Sequence, residues 1–344
     1  LKNLITKKTG EDGYNYFLSF VDPAAKTSLV VSTTNDFNIL NHDEEYEAII
    51  NLSRANDIRY INKFFESVNS KMHYNGMLIV CFETFTARRR RKGIRKVPLL
   101  RGIYFGLEFV FMRVFPKVWG FKKIYFLVTR GRNRLLSKAE VMGRLVSCGF
   151  EIVSYKNFKG LTYVVSRKVG EPVFNMEASY GPLYKMPRIG KNGKIIGVYK
   201  FRTMHPYAEY LQDYVLKVHG YAETGKPAND FRLTPWGKFL RRYWLDELPQ
   251  LLNLLKGDLK LVGVRPIGNR YAEDIPKDLM ALRLKHRPGC VPPYVALNMK
   301  GSVEEVLEAE RIYLIEKERR PYTTDTRYFF KAMFNIIFKR KRSA

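Results

Sequence analysis

The sequence predicts an α/β protein in two parts, and three observations carry that expectation. Short runs rich in β-branched and aromatic residues (TSLVVSTT, YEAIINLS, MLIVCFE) alternate with stretches of helical spacing such as DIRYINKFFESVNSKM. Glycine and asparagine punctuate these runs at turn positions. The 344 residues exceed one typical domain, and a hydrophobic share of 46%, with 23 Phe and 22 Tyr, excludes a disordered chain. We divide the chain into residues 1–170 and 171–344, because a glycine-rich, basic stretch opens near Ser179.

In the first part, residues 27–34 and 46–53 read as strands and residues 57–72 as a helix. A turn at Asn75-Gly76 and a strand over 77–83 follow. SKAEVMGRLVSCGFEIVSYKNFKGLTYVVSRKV, from Ser137, reads as a capped helix, a glycine stop and a hairpin. This order resembles the later half of a class I methyltransferase fold, a Rossmann-like sheet closed by such a hairpin. No glycine-rich loop follows an early strand in residues 1–60, so the methyl donor's cradle is missing and the module reads as degenerate. The opening LKNLITKKTGEDGYNY lacks an apolar core of signal-peptide length, so a cleaved leader is not expected.

The formal charge of +27 calls for polyanionic partners: nucleic acid, an anionic membrane face or phosphorylated small molecules. Between Thr86 and Arg144 stand 17 Lys and Arg against Glu108 and Glu140, more than half of the excess in one zone. Inside it, LLRGIYFGLEFVFMRVFP, Leu99 to Pro116, is apolar almost all round but carries Arg101, Glu108 and Arg113. Three charges disfavour a simple bilayer span. A helix closed at Pro116 and flanked by TARRRRKGIRK fits an interfacial or re-entrant anchor on anionic lipid. A buried helix with paired charges and an arginine-rich nucleic-acid patch are the competing readings. None of the common nucleic-acid motifs is present, and we expect no nucleic-acid partner.

The second part opens with basic residues around tight turns: Arg188-Ile189-Gly190, a Lys-Asn-Gly-Lys turn at 191–194, and a strand ending in Lys200-Phe201-Arg202. Lys200 and Arg202 share a strand face, suited either to one phosphorylated ligand or to solvent. Arg241 and Arg242 then precede Trp244-Leu245-Asp246-Glu247-Leu248-Pro249. Taken alone, that acidic pair is an ordinary first helical turn, with proline tolerated where N–H groups lack partners.

Together, YKFRTM and RLTPWGKFLRRYWLDELPQLLNLLKGDLKLVGVRP resemble the bacterial sugar transferase family, the monotopic phosphoglycosyl transferases. The likeness covers roughly Ser179 to Pro293, and GPLYKMPRIG resembles the family's opening segment. The sequence departs from the family pattern at Met186, Trp244 and Val264, where Gln, Ser and Pro are usual, and after Pro288-Gly289, where Thr-Gly is missing. The resemblance implies transfer of a sugar phosphate from a UDP-sugar to a polyprenyl phosphate, the first membrane step of polysaccharide or glycoconjugate assembly. It assigns Asp246 as the nucleophile, Glu247 as a Mg²⁺ ligand, and Arg265 and Arg241 as phosphate contacts. Arg188, Lys200 and Arg202 are further candidate substrate contacts. It also implies a small α+β catalytic domain with a membrane-associated helix, at the cytoplasmic face of a bacterial inner membrane, with self-association left open. A catalytically inactive scaffold is the alternative.

The remaining chemistry-bearing residues offer little competition. Cys81, Cys148 and Cys290 are too scattered for a disulfide framework or a zinc site, and the five histidines show no ligand spacing. RYFFKAMFNIIFKRKRSA at the C-terminus pairs an apolar stripe with a basic end, fit for lipid or for packing on the domain.

Overall fold

Parallel strands β1 (Ser28–Val31), β2 (Tyr46–Arg54) and β3 (Met72–Phe82) carry the first unit, and β4 (Phe150–Phe158) and β5 (Leu161–Lys168) close its sheet. The order is β1-β2-β3-β5-β4, with β5 antiparallel to both neighbours. The computed structural model describes residues 1–118, 120–174, 181–220 and 230–339. They fall into two units, Leu1–Tyr180 with His205–Val218, and Gly181–Met204 with His219–Ala344. Ser179, where we expected the second part to open, lies outside the described residues.

Helices α1 (Lys2–Thr9) and α2 (Glu11–Leu18) bury Ile5 and Phe17 against Ile50, Ile79, Tyr163 and Val165 of the sheet. β2 and the second half of β3 are buried almost without alternation, as strands covered on both faces are. Between them runs α3 (Ile61–Ser70), as its spacing predicts. The expected turn at Asn75-Gly76 is instead a bulge inside β3. Tyr46 pairs with Met72 and Ala48 with Met77, so the extra β3 residues are accommodated at Asn75, whose φ is 65°.

After β3 come α4 (Phe85–Arg91), α5 (Pro98–Phe109) and α6 (Phe121–Thr129). The segment expected as a helix over 99–116 is helical throughout and closes at Pro116, but it is not uniformly α. α5 passes into a π-helical turn at Val110–Val114 and a 3-10 turn at Phe115–Lys117, where Pro116 has no N–H to continue the ladder. Glu108 is buried and accepts from Arg88 Nε (3.0 Å) and Lys92 Nζ (2.5 Å). Arg113 pairs with buried Glu140 and donates to the Leu135 carbonyl (2.9 Å). The inward charges are thus paired, while Ile103 (60%), Leu107 (66%), Leu127 (80%) and Val128 (67%) are exposed. Among the described residues no helix is long and apolar enough to cross a membrane.

α7 (Lys138–Ser147) starts as predicted, with the Ser137 hydroxyl accepting the Glu140 N–H at 3.1 Å. It stops at Gly149, in the left-handed region at φ 87°. Burial pushes the Cys81 and Cys148 thiols up to about 12, which makes them inert small core residues.

In the second unit β6 (Leu183–Ile189) and β7 (Ile195–Phe201) form the expected hairpin, turning at Asn192 and Gly193 with φ of 54° and 75°. α8 (Pro235–Arg242) is capped by Thr234, whose hydroxyl accepts the Gly237 N–H at 2.9 Å. α9 (Leu251–Leu255), β8 (Lys260–Val262), α10 (Lys277–Lys285) and β9 (Gly289–Val291) follow, β8 and β9 pairing in parallel. A Cβ on Gly289 would lie 2.1 Å from the Gly263 nitrogen, so that pairing requires glycine. α11 (Val303–Arg319) and α12 (Thr324–Ile337) complete the core, with Tyr313, Leu314, Tyr328 and Ala332 packed on Val262, Val264 and Leu279. The C-terminal stripe therefore divides: Tyr328 and Ala332 pack inward, while Phe330, Phe334 and Phe338 are exposed.

Candidate active site

Where α8 ends, Trp244 takes a left-handed conformation (φ 57°) and turns the chain into a 3-10 segment, Leu245–Gln250. That segment carries both carboxylates, with Asp246 9% exposed. Asn253 fixes it to the hairpin: its Oδ1 accepts the Tyr199 N–H (3.0 Å) and its Nδ2 donates to the Gly197 carbonyl (2.7 Å). Lys200 is thereby brought to Glu247, with Nζ 2.7 Å from Oε1. Arg265 approaches the same oxygen from the opposite stretch of chain, at 3.5 Å.

The other candidates are placed less uniformly. Arg241 donates from Nε to the Thr203 hydroxyl (3.0 Å), and its charge acts on Asp246. Arg188 borders the cleft that Arg265 also lines and donates to the Pro187 carbonyl (2.9 Å) and to Met186 Sδ (3.3 Å). Arg202 lies just beyond β7, donating to the Gly181 carbonyl (3.0 Å) with its guanidinium 4.9 Å from the Tyr184 ring centre. Of these two, Lys200 reaches Glu247, while Arg202 stands one residue past the end of β7 at Phe201.

The two carboxylates differ in basicity. Burial raises the Asp246 pKa above the usual carboxylate range; Lys200 and Arg241 oppose this, and the Glu247 charge adds to it. For Glu247, burial is outweighed by Lys200, Arg265 and Gln250, so its pKa is lowered. The neighbouring cations and a backbone N–H do favour ionised Asp246, as expected, and burial outweighs them. The result is a pair pushed apart: a firmly ionised Glu247 beside a more basic, hence more nucleophilic, Asp246.

Residues that sequence reasoning missed hold Arg265 in place. Its N–H reaches Glu310 Oε1 (3.4 Å), and its carbonyl accepts from Arg283 Nη2 (2.5 Å). Arg283 and Glu310 themselves form a buried ion pair. A signal existed: Glu310 sits three and four residues before Tyr313 and Leu314, and Arg283 four after Leu279, charges on otherwise apolar helix faces. Val264, in place of the usual proline, is core at 3% exposure.

Arg265 borders two clefts. One, of about 310 Å³, is lined by Arg188, Tyr271, Tyr294 and Glu310 among others. The second, of about 280 Å³, is lined by Glu247, Leu248, Leu251, Leu254, Leu261 and Cys290 among others. Among the described residues no three His, Cys, Asp or Glu side chains gather as a cation cage. Mg²⁺ often keeps only one or two protein carboxylates and completes its shell with phosphate and water, so Glu247 fits it only with substrate oxygens present.

The family described as Bacterial sugar transferase matches residues 172–339. An undecaprenyl-phosphate galactose phosphotransferase of Salmonella typhimurium is 27% identical over 256 residues, 72% of this chain and 49% of that protein. A UDP-galactose-lipid carrier transferase of Erwinia amylovora is 35% identical over 130 residues, covering 35% of this chain and 25% of that one. An uncharacterized sugar transferase of Haemophilus influenzae is 43% identical over 116 residues, 31% of this chain and 24% of that one. This chain thus spans half or less of the length of these relatives. An O-methyltransferase family structure from Burkholderia thailandensis aligns over 40% of this chain and 34% of that chain at 11% identity, and its TM-score of 0.23 is too low to bear on the fold. Residues 172–339, which contain Asp246, Glu247 and the cations around them, are thus the part of the chain that is similar to the bacterial sugar transferase family.

Proposed function

We propose that this protein transfers a sugar phosphate from a UDP-sugar to a polyprenyl phosphate at a membrane surface, through a covalent intermediate on Asp246. The observation that carries this reading is the acidic pair in its cationic surround: Glu247 contacted by Lys200 (2.7 Å) and Arg265 (3.5 Å), beside Asp246, buried on the same 3-10 segment. An Asp246 oxygen attacks the β-phosphorus, the bond to the bridging oxygen breaks, and UMP leaves with that oxygen and its electron pair. Lys200, Arg265 and Arg241 draw in and neutralise the diphosphate, so that attack by one anion on another becomes feasible. A phosphate oxygen of the lipid then bonds to the same phosphorus and Asp246 departs as carboxylate, leaving a polyprenyl diphosphosugar. Glu247 would hold Mg²⁺ together with substrate oxygens, and the bound ion supplies charge neutralisation.

In this reading residues 171–344 are the catalytic domain, and residues 1–170 are a degenerate methyltransferase-like module that contains the membrane-associated helices. Three parallel strands closed by an inserted antiparallel hairpin support the likeness of that module. The outward apolar face of α5 and α6, beside the arginine run, supports attachment to an anionic cytoplasmic leaflet. The test is direct. Wild-type protein incubated with a panel of UDP-sugars and no lipid should release up to one equivalent of UMP and gain the mass of one sugar phosphate on the peptide containing Asp246. Asp246→Asn should lose both while remaining folded. Wild-type turnover in that variant would rule out the covalent route.

A further inference from the structure

The two clefts that meet at Arg265 differ in chemistry. The one beside Glu247 is walled by Leu248, Leu251, Leu254, Leu261, Val291 and Pro292, with the charged groups Glu247 and Arg265 on its lining. A soluble sugar nucleotide gains little from a leucine wall. An amphiphile with a phosphate head and a hydrocarbon tail matches it, the head meeting Arg265 and Lys200 and the tail covering the leucines. The apolar surface continues outward, since Leu248, Leu251 and Leu261 are 50%, 57% and 46% exposed and Leu255 is 87% exposed. A volume of about 280 Å³ is small even for a drug-sized ligand, so it holds the start of a long chain whose remainder lies elsewhere.

Resting on the sugar transferase reading above, we propose that this leucine cleft seats the first isoprene units of the lipid phosphate acceptor. Arg265 and Lys200 then serve twice, for the donor diphosphate in the first half-reaction and for the acceptor phosphate in the second. In that second step the acceptor oxygen forms its bond to phosphorus as the Asp246–phosphorus bond breaks, and its electron pair returns to the carboxylate. Chain recognition is thereby separated from phosphate recognition.

The experiment uses full-length protein in detergent with isoprenoid phosphates of increasing length. Acceptor transfer by wild type should rise over the first isoprene units and then level off. Leu251→Gln with Leu261→Gln should lower transfer to the long acceptor by about tenfold and flatten the length dependence, because both solvent-reachable walls become polar. The stoichiometric UMP burst, which needs no acceptor, should fall far less than acceptor transfer, and Leu251→Met, which keeps the wall apolar, should restore the length dependence. A second measurement needs no donor. Cys290 lines the cleft whereas Cys81 and Cys148 are buried, so farnesyl phosphate should protect Cys290 from alkylation and inorganic phosphate should not. Transfer independent of chain length, equal loss of burst and transfer in the double variant, or equal protection by both phosphates would overturn the proposal. Absence of any UMP burst from wild type, by contrast, would overturn the sugar transferase reading beneath it, and the acceptor assignment with it.

Discussion

Lys200→Met is the most informative single change at the acidic pair, because it removes the ammonium while keeping an unbranched, flexible side chain. The Nζ lies 2.7 Å from Glu247 Oε1, with the two side chains only 20% and 27% exposed, so solvent screens the pair incompletely. A hydrogen bond to a charged group contributes about 1.5–3 kcal/mol, which corresponds to roughly a 10- to 150-fold loss in kcat/KM for UMP release. The pH dependence should move in a defined direction. Burial pushes both carboxylates up and Lys200 opposes it at each, so without Lys200 both pKa values rise and the acid limb of the rate profile shifts to higher pH. Stability follows the same sign. The folded pKa of Glu247 is depressed, so its contribution is present above the unfolded value and is lost as pH falls through the folded one. The melting-temperature gap between wild type and variant should be widest near neutrality and close in acid. Lys200→Arg should recover part of the rate. An unmoved acid limb with less than about a threefold loss of rate would refute a role for Lys200 in setting the carboxylates.

Other perturbations address the remaining parts. UMP release should require Mg²⁺, and Glu247→Gln should lower both the rate and its dependence on added metal; full activity in excess chelator would remove Glu247 from that role. Arg283→Met leaves Glu310 buried without its partner and should destabilise the second unit by about 3–5 kcal/mol in a denaturant titration, with loss of activity as the Arg265 backbone loses its hold. Leu107→Asp with Leu127→Asp places charge on the outward face of α5 and α6 and should move the protein out of the membrane fraction; high salt alone should extract little wild type, because apolar burial adds to the charge attraction.

What was legible in the sequence was local. The strands at 27–34 and 46–53, the Ser137 cap, the Gly149 stop and the Asn192-Gly193 turn each depend on a few neighbouring residues, and each forms. Asn75-Gly76 misled because a positive φ serves a bulge as well as a turn, and which of the two forms is set by pairing with β2. At the site, the convergence of Lys200 and Arg265 on Glu247 depends on Asn253 fastening the 3-10 segment to β7, a contact across 54 residues of chain. No spacing rule reports it. The sign of the Asp246 shift was likewise out of reach, because a charge count favours the anion whereas burial, invisible in the sequence, outweighs it.

The first unit raises a separate question, since open parallel sheets of this kind usually bind ligands beyond the carboxyl ends of their strands. Here those ends are filled by the protein itself. Asn51, on β2, exchanges hydrogen bonds with the Thr33 backbone beyond β1 at 3.1 and 3.0 Å. After β2, Asn56 spans the Glu83 carbonyl (2.9 Å) and the Arg134 carbonyl (2.8 Å), while Asp57 takes the Asn133 N–H at 2.9 Å. After β3, Glu83 is engaged by Arg91 at 2.8 Å. The segment around residues 133–134 is thus bonded to the chain just beyond β2. That same segment also meets the helical insert, because Arg88 bridges Asn133 Oδ1 (2.6 Å) and Glu108 of α5 (3.0 Å). A charged contact this buried is costly to break one partner at a time, so it ties the apolar helices rigidly to the sheet. The physical consequence is that the bonds of Arg88 to Asn133 and Glu108 hold α5 to the segment at the strand ends.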